Sequence, residues 1–126
     1  MDLDKNRRMQ QENVDRGRYQ VSVVDQLSNR PVENARVKIS YTGDPDSVIE
    51  ELVTNSSGRT PVIELKTPPL EYSMEPVEQQ PYAEYTVQID AEGFESEEVA
   101  GSEVLPQVLS SQPVMLAARS VSEEYQ

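Results

Sequence analysis

The sequence predicts an all-β fold: a seven-stranded antiparallel Greek-key β-sandwich behind a flexible N-terminal leader. Three observations predict it. Apolar and polar residues alternate with a period of two in several short runs. Turn-forming residues separate those runs at near-regular spacing. No helical periodicity survives beyond residue 18, so neither a parallel α/β sheet nor a helix bundle is expected. At 126 residues the chain has room for one core.

Residues 1–17 are polar and are expected to form the leader, because Leu3 and Met9 alone cannot anchor a helix. Deleting residues 1–16 is therefore expected to leave stability nearly unchanged. Residues 18–118 make the sandwich and 119–126 a tail. The first strand runs from Arg18 to Asp25, with Tyr19, Val21 and Val23 on one face. The second, Asn34 to Tyr41, sets Ala35, Val37, Ile39 and Tyr41 inward and Arg36, Lys38 and Ser40 outward. A loop through Gly43, Asp44 and Pro45 leads to a third strand, Val48 to Thr54. Gly58 turns the chain into a fourth, Thr60 to Lys66, with Ile63 and Leu65 inward.

Four prolines in residues 67–81 rule out a regular ladder there. Two readings stand for this segment: an extended strap across a sheet edge held by Leu70 and Tyr72, or a contact surface for a partner. The fifth strand has the clearest alternation, with Ala83, Tyr85, Val87 and Ile89 against Glu84, Thr86, Gln88 and Asp90. Phe94 is expected to open a sixth, exposed at Glu95, Glu97 and Glu98 and anchored by Val99, Val104 and Leu105. The seventh runs from Gln112 to Ala118, with Val114 and Leu116 inward.

The chain has no histidine and no cysteine. Histidine is the side chain that ordinarily titrates near neutrality and cysteine the strongest nucleophile there, so general acid–base, thiol and disulfide chemistry lack their usual carriers. Ser57 and the other serines have no base to activate them. Glu95, Glu97 and Glu98 lie on an exposed strand, without the apolar walls that raise a carboxyl pKa for glycoside hydrolysis. Asp44 and Asp46 flank Pro45 without the ligand count of a calcium loop. The expectation is no enzyme, no catalytic residues, no metal site and no cofactor. Net charge is −12, and residues 1–18 carry five cations against four acids, so the acidity lies in the body of the chain. Such a surface repels phosphate backbones, which argues against nucleic acid as a partner. No apolar stretch has the length of a membrane-spanning helix, and no signal peptide is visible.

Several runs resemble the carboxypeptidase regulatory-like, or transthyretin-like (prealbumin-like), β-sandwich domains. They are Pro31-Val32-Glu33-Asn34-Ala35-Arg36-Val37, Thr54-Asn55-Ser56-Ser57-Gly58, and Tyr85-Thr86-Val87 with Ala91-Glu92-Gly93-Phe94. A further resemblance spans roughly residues 19–118. It rests on Gly58-Arg59-Thr60-Pro61, Leu65, Pro68-Pro69, Tyr72-Ser73, Pro76 and Pro81-Tyr82-Ala83-Glu84-Tyr85. These look like the version of the domain found in spore cortex-lytic and peptidoglycan-binding proteins of Gram-positive bacteria. The resemblance implies fold-keeping roles for Gly58, Ala35 and Tyr85, the last with a buried ring and a hydroxyl that reaches a backbone partner.

Two chemistries of related sandwiches are not expected. Hydroxyisourate hydrolysis uses histidines and a C-terminal Tyr-Arg-Gly-Ser run, whereas this chain has no histidine and ends Ser122-Glu123-Glu124-Tyr125-Gln126. A Lys–Asn isopeptide bond needs a lysine on the first strand and an asparagine on the last, and neither is present. The resemblance implies a non-catalytic accessory or interaction module, with a protein or cell-wall component as partner and the cell envelope or spore as location. Strand addition at a sheet edge is one expected mode of contact. The alternative is a carbohydrate-binding module gripping peptidoglycan through Tyr72, Tyr82 and Tyr125.

Overall fold

The computed structural model describes residues 15–68 and 82–119. Seven strands are present: β1 (Asp15–Asp25), β2 (Arg36–Tyr41), β3 (Asp44–Val53), β4 (Ile63–Thr67), β5 (Ala83–Asp90), β6 (Glu97–Val104) and β7 (Leu109–Leu116). They form a three-stranded sheet in the order β4-β1-β7 and a four-stranded sheet in the order β3-β2-β5-β6. Each alternating strand can bury only one face, so the two sheets pack those faces together. Tyr19, Val21, Val23, Leu65, Val114 and Leu116 meet Val37, Ile39, Tyr85, Val87, Ile89 and Val104 in one core. Val32 and Ala35 close it where the chain passes from β1 to β2.

The pairings are antiparallel with one exception: β7 runs parallel to β1, from Arg18↔Leu109 to Asp25↔Leu116. A parallel neighbour needs a long crossover, and all of β2 to β6 lies between these two strands.

Element ends depart from the sequence reading, β4 beginning at Ile63 and not Thr60, and β7 running from Leu109 to Leu116 and not from Gln112 to Ala118. β1 begins at Asp15, so Asp15, Arg16 and Gly17 belong to the sheet and not to the leader; residues 1–14 lie outside the described residues. The ladder there is made, since Gln107 N–H donates to the Arg16 carbonyl at 2.8 Å. The expected loop after β2 is instead a tight turn through Thr42 and Gly43, and β3 starts at once with Asp44 opposite Tyr41. Phe94 makes an isolated bridge to Ala118 ahead of β6, which begins at Glu97. Leu105 is exposed and anchors nothing, whereas Pro106 beside it is fully buried.

Buried threonines hold the turns. The Thr54 hydroxyl donates to the Val32 carbonyl at 2.7 Å and accepts from Ala35 N–H at 2.9 Å. The Thr60 hydroxyl accepts from Val21 N–H at 3.0 Å. Gly58 turns between them at φ +75°, a conformation that disfavours a Cβ. Among the described residues no buried side-chain nitrogen or oxygen is left without a partner.

Candidate functional site

Two tyrosines bridge the sandwich in opposite directions. Tyr19 of β1 donates to Ser102 Oγ of β6 at 2.6 Å, and Ser102 donates in turn to Gln112 Oε1 of β7 at 2.7 Å. Tyr85 of β5 donates to the Lys66 carbonyl of β4 at 2.7 Å. Burial pushes both phenols up to about 12. For Tyr85 the neighbouring Tyr41 raises the value further, while the Lys66 carbonyl and the Arg16 guanidinium pull it back. Both hydroxyls are neutral hydrogen-bond donors at any physiological pH.

Beside Tyr85 the sandwich opens into a cleft of about 150 Å³, lined by Arg16, Tyr41, Ile49, Glu50, Glu64, Leu65, Lys66 and Tyr85. Tyr41 is at its mouth as the last residue of β2. It pairs with buried Tyr85 in the unbroken β2–β5 register, on the face of Val37 and Ile39 as the alternation requires, and is 43% exposed where the strand ends. Its ring lies 5.6 Å from that of Tyr85 at an interplanar angle of 30°. The β-bulge beside it is on β3, which passes over Ile49 and brings Glu50 opposite buried Ile39.

The second feature is a neutral ribbon. From Leu105 to Ala118 the chain carries no charged residue, although 27% of all residues are charged. This ribbon forms the edge strand β7. Leu109, Ser111, Pro113 and Met115 share its outer, exposed face, and Val108 is exposed just before it. The other three edge strands carry charges: Asp44, Asp46, Glu50 and Glu51 on β3, Glu64 and Lys66 on β4, and Glu97, Glu98 and Glu103 on β6. Charge is a common guard against edge-to-edge pairing, and β7 lacks it.

The ribbon is guarded differently. The Val108 and Leu116 carbonyls accept from Arg18 and Gln26 of the β1 side, so the odd-numbered peptide groups of β7 face away from β1. Pro113 therefore has its missing N–H on the open side, and its outward carbonyl accepts Gln112 Nε2 at 2.9 Å. The same alternation aims the Lys66 carbonyl away from β1, and there the Tyr85 hydroxyl meets it. Both edges of the three-stranded sheet are thus capped near their middle.

The residues singled out from the sequence fall elsewhere. Tyr82 is half-buried at the start of β5, its phenol pushed up chiefly by the Glu103 carboxylate. Leu70, Tyr72 and Tyr125 lie outside the described residues, so of the three tyrosines of the glycan reading Tyr82 alone falls within them. Glu97 and Glu98 border an open hollow of about 260 Å³ with Gln88, Ile89, Asp90 and Ser96. Its polar groups bind one another: Ser96 Oγ bonds Asp90 and Gln88 Nε2 donates to Glu98 at 3.1 Å. Glu95 is exposed before that strand. Asp44 and Asp46 are exposed at the start of β3, and Ser57 sits in the turn closed by Asn55. Among the described residues no three His, Cys, Asp or Glu side chains are grouped to hold a metal, and no helix is long and apolar enough to cross a membrane. The charge-free run 105–118 and the ring at Tyr41 were the signals available in the sequence for the two surface features above.

No protein-family model matches this sequence, and no curated protein matches it. Solved structures do resemble it. The minor pilin GBS52 of Streptococcus agalactiae is 12% identical with a TM-score of 0.54, covering 84% of this chain and 46% of its own. The wild-type catechol 1,2-dioxygenase of Acinetobacter radioresistens is 10% identical with a TM-score of 0.57, covering 88% and 54%. The 5-hydroxyisourate hydrolase of Klebsiella pneumoniae is 16% identical with a TM-score of 0.50, covering 82% and 92%. The chain thus spans about half the length of the pilin and the dioxygenase and nearly all of the hydrolase. The expectation that it is not an enzyme is overturned by these likenesses, because the fold is one that a dioxygenase and a hydrolase also use. At such identities the likeness establishes architecture: a transthyretin-like β-sandwich, shared with a dioxygenase, a hydrolase and a minor pilin.

Proposed function

We propose that this chain is an interaction module that docks a protein partner of a bacterial cell envelope on the neutral ribbon of β7. The observation that carries the reading is the uncharged run Leu105–Ala118 on the surface of a chain of net charge −12. Exposed Leu109 and Met115 supply apolar contact, and the flank supplies polarity. Glu95 N–H bonds the Ala117 carbonyl at 2.8 Å, which sets the acid-rich segment 95–98 against one end of the ribbon. A surface with an apolar centre and a basic rim complements that pattern. The location is supported by the resemblance to domains of peptidoglycan-associated proteins and by the likeness to a minor pilin of a Gram-positive pathogen. The finer assignment, to the spore-associated version of the domain, belongs to the same proposal.

The test compares retention of the chain on intact Gram-positive envelopes and on protease-stripped peptidoglycan. Expected is retention on intact envelopes that weakens with added salt and is lost for Leu109→Lys with Met115→Lys, both exposed positions, in a variant first checked for an unchanged melting temperature. Equal retention on stripped glycan, unaffected by those substitutions, overturns the reading in favour of direct glycan binding.

A further inference from the structure

A second site stands apart from the ribbon. We infer that the cleft between Tyr41 and Lys66 binds a small zwitterion of amino-acid size, a free amino acid or the end of a short peptide, by its ammonium, its carboxylate and one apolar side chain.

Three observations converge on that chemistry. The first is the bulge. A regular β3 would point Ile49 and Glu50 to opposite faces, yet the strand passes over Ile49, so Glu50 comes opposite buried Ile39 and Ile49 and Glu50 both line the cleft. Bulges are over-represented where a side chain is re-aimed beside a functional site. Departures from a consistent strand pattern concentrate at such places. The second is the charge set. Arg16 and Lys66 are direct cross-strand partners in the β1–β4 register, so two cations share one position of the ladder. Like charges placed so oppose each other, and an anion held at that end relieves the conflict. Glu50 and Glu64 supply the opposite sign within the same cleft. Among the described residues no hydrogen bond or ion pair occupies these four charged groups.

The third observation is size and floor. A volume of about 150 Å³ is well below that of a drug-sized pocket, and it suits a single small molecule. Ile49, Leu65 and the two tyrosine rings give an apolar surface for one side chain. The floor is rigid, because the Tyr85 hydroxyl is fixed on the Lys66 carbonyl. A neutral sugar would use the ring of Tyr41 but would leave the two cations and two carboxylates unmatched. A zwitterion matches both signs.

The experiment is a two-dimensional amide NMR titration of the full chain with L-leucine, N-acetyl-L-leucine, L-leucinamide and N-acetylglucosamine. Saturable shifts at Tyr41, Glu50 and Lys66 are expected with leucine. Blocking either end should weaken binding roughly tenfold, as for loss of one charge-assisted contact. Lys66→Gln should erase the preference for leucine over leucinamide, and Glu50→Gln the preference over N-acetyl-leucine. Lys66 is exposed and Glu50 half-buried on an edge strand, so each variant is first checked for an unchanged melting temperature. No saturable shift with leucine, or an equal response to N-acetylglucosamine, overturns the inference. Neither result bears on the β7 ribbon, whose test uses other residues.

Discussion

At Gly17 the sheets come too close for any side chain. A Cβ there would overlap the Leu105 carbonyl oxygen and lie 2.9 Å from Val104 Cγ1. Gly17→Ala should therefore destabilise the fold by about 1–3 kcal/mol, the usual cost of overpacking. A urea midpoint equal to that of the parent chain would contradict the close approach. The sequence hid this role, because Gly17 follows a polar run and has no side chain to join an alternating pattern. Thr54 makes the complementary case. Its hydroxyl satisfies the Val32 carbonyl and the Ala35 N–H at once. Thr54→Val keeps the shape but leaves both buried groups unpaired, and about 1–3 kcal/mol of stability should be lost in the same measurement. The motif Thr54-Asn55-Ser56-Ser57-Gly58 marked this turn in the sequence, but only the structure shows that its first residue is a hydrogen-bond hub. Glu50 shows where residue-level reading stops. A bulge on β3, which leaves no mark in apolar periodicity, sets this carboxylate opposite buried Ile39.

Among the elements, those with strict alternation were legible. β2 and β5 bury Val37, Ile39, Tyr85, Val87 and Ile89 as the period of two requires. Thr86 is the exception on β5: it is buried and bonds Thr42 Oγ1 at 3.1 Å, beside the β5–β6 irregularity at Gly101. Strand ends were less legible, because ladder pairing extends an element beyond its apolar residues. β1 gains Asp15 to Gly17 in this way through β4. A deletion of residues 1–16, expected from the sequence to be harmless, should instead lower the melting temperature, since it removes the Asp15↔Thr67 and Arg16↔Lys66 pairings. A deletion of residues 1–14 spares those pairings. An equal melting temperature for the 1–16 deletion and the parent chain would show that this extension adds nothing. The capping of β7 was also out of reach, since it depends on which way alternate peptide groups point. Pro113 withholds a donor on the open side and Gln112 occupies the acceptor. Pro113→Thr restores the donor on a neutral edge. Concentration-dependent self-association is expected in sedimentation, and a monomer indistinguishable from the parent would refute the guarding role.

The whole molecule is tied across its two sheets by Tyr19 and Tyr85, one phenol anchored on each opposing layer. Their position explains why a core with one phenylalanine and no tryptophan still has large buried rings. Each ring fills the interior while its hydroxyl finds a partner on the far side, at Ser102 or at the Lys66 carbonyl. The arrangement has a consequence for pH. Both phenols are raised from 10.0 to about 12, chiefly by burial. In the unfolded chain these groups lose their protons near the ordinary value, while the native state retains them. Between the two values the folded protein binds more protons than the unfolded one, so its stability falls as pH rises. The contribution is complete below about pH 10 and disappears as pH passes through about 12. Denaturant midpoints should thus decline across that window. Replacing both tyrosines by phenylalanine should flatten the decline, while lowering stability at neutral pH, because the Ser102 oxygen and the Lys66 carbonyl lose the phenol that donates to them. A decline that persists undiminished in the double variant would place the alkaline sensitivity outside these two cross-sheet hydroxyls.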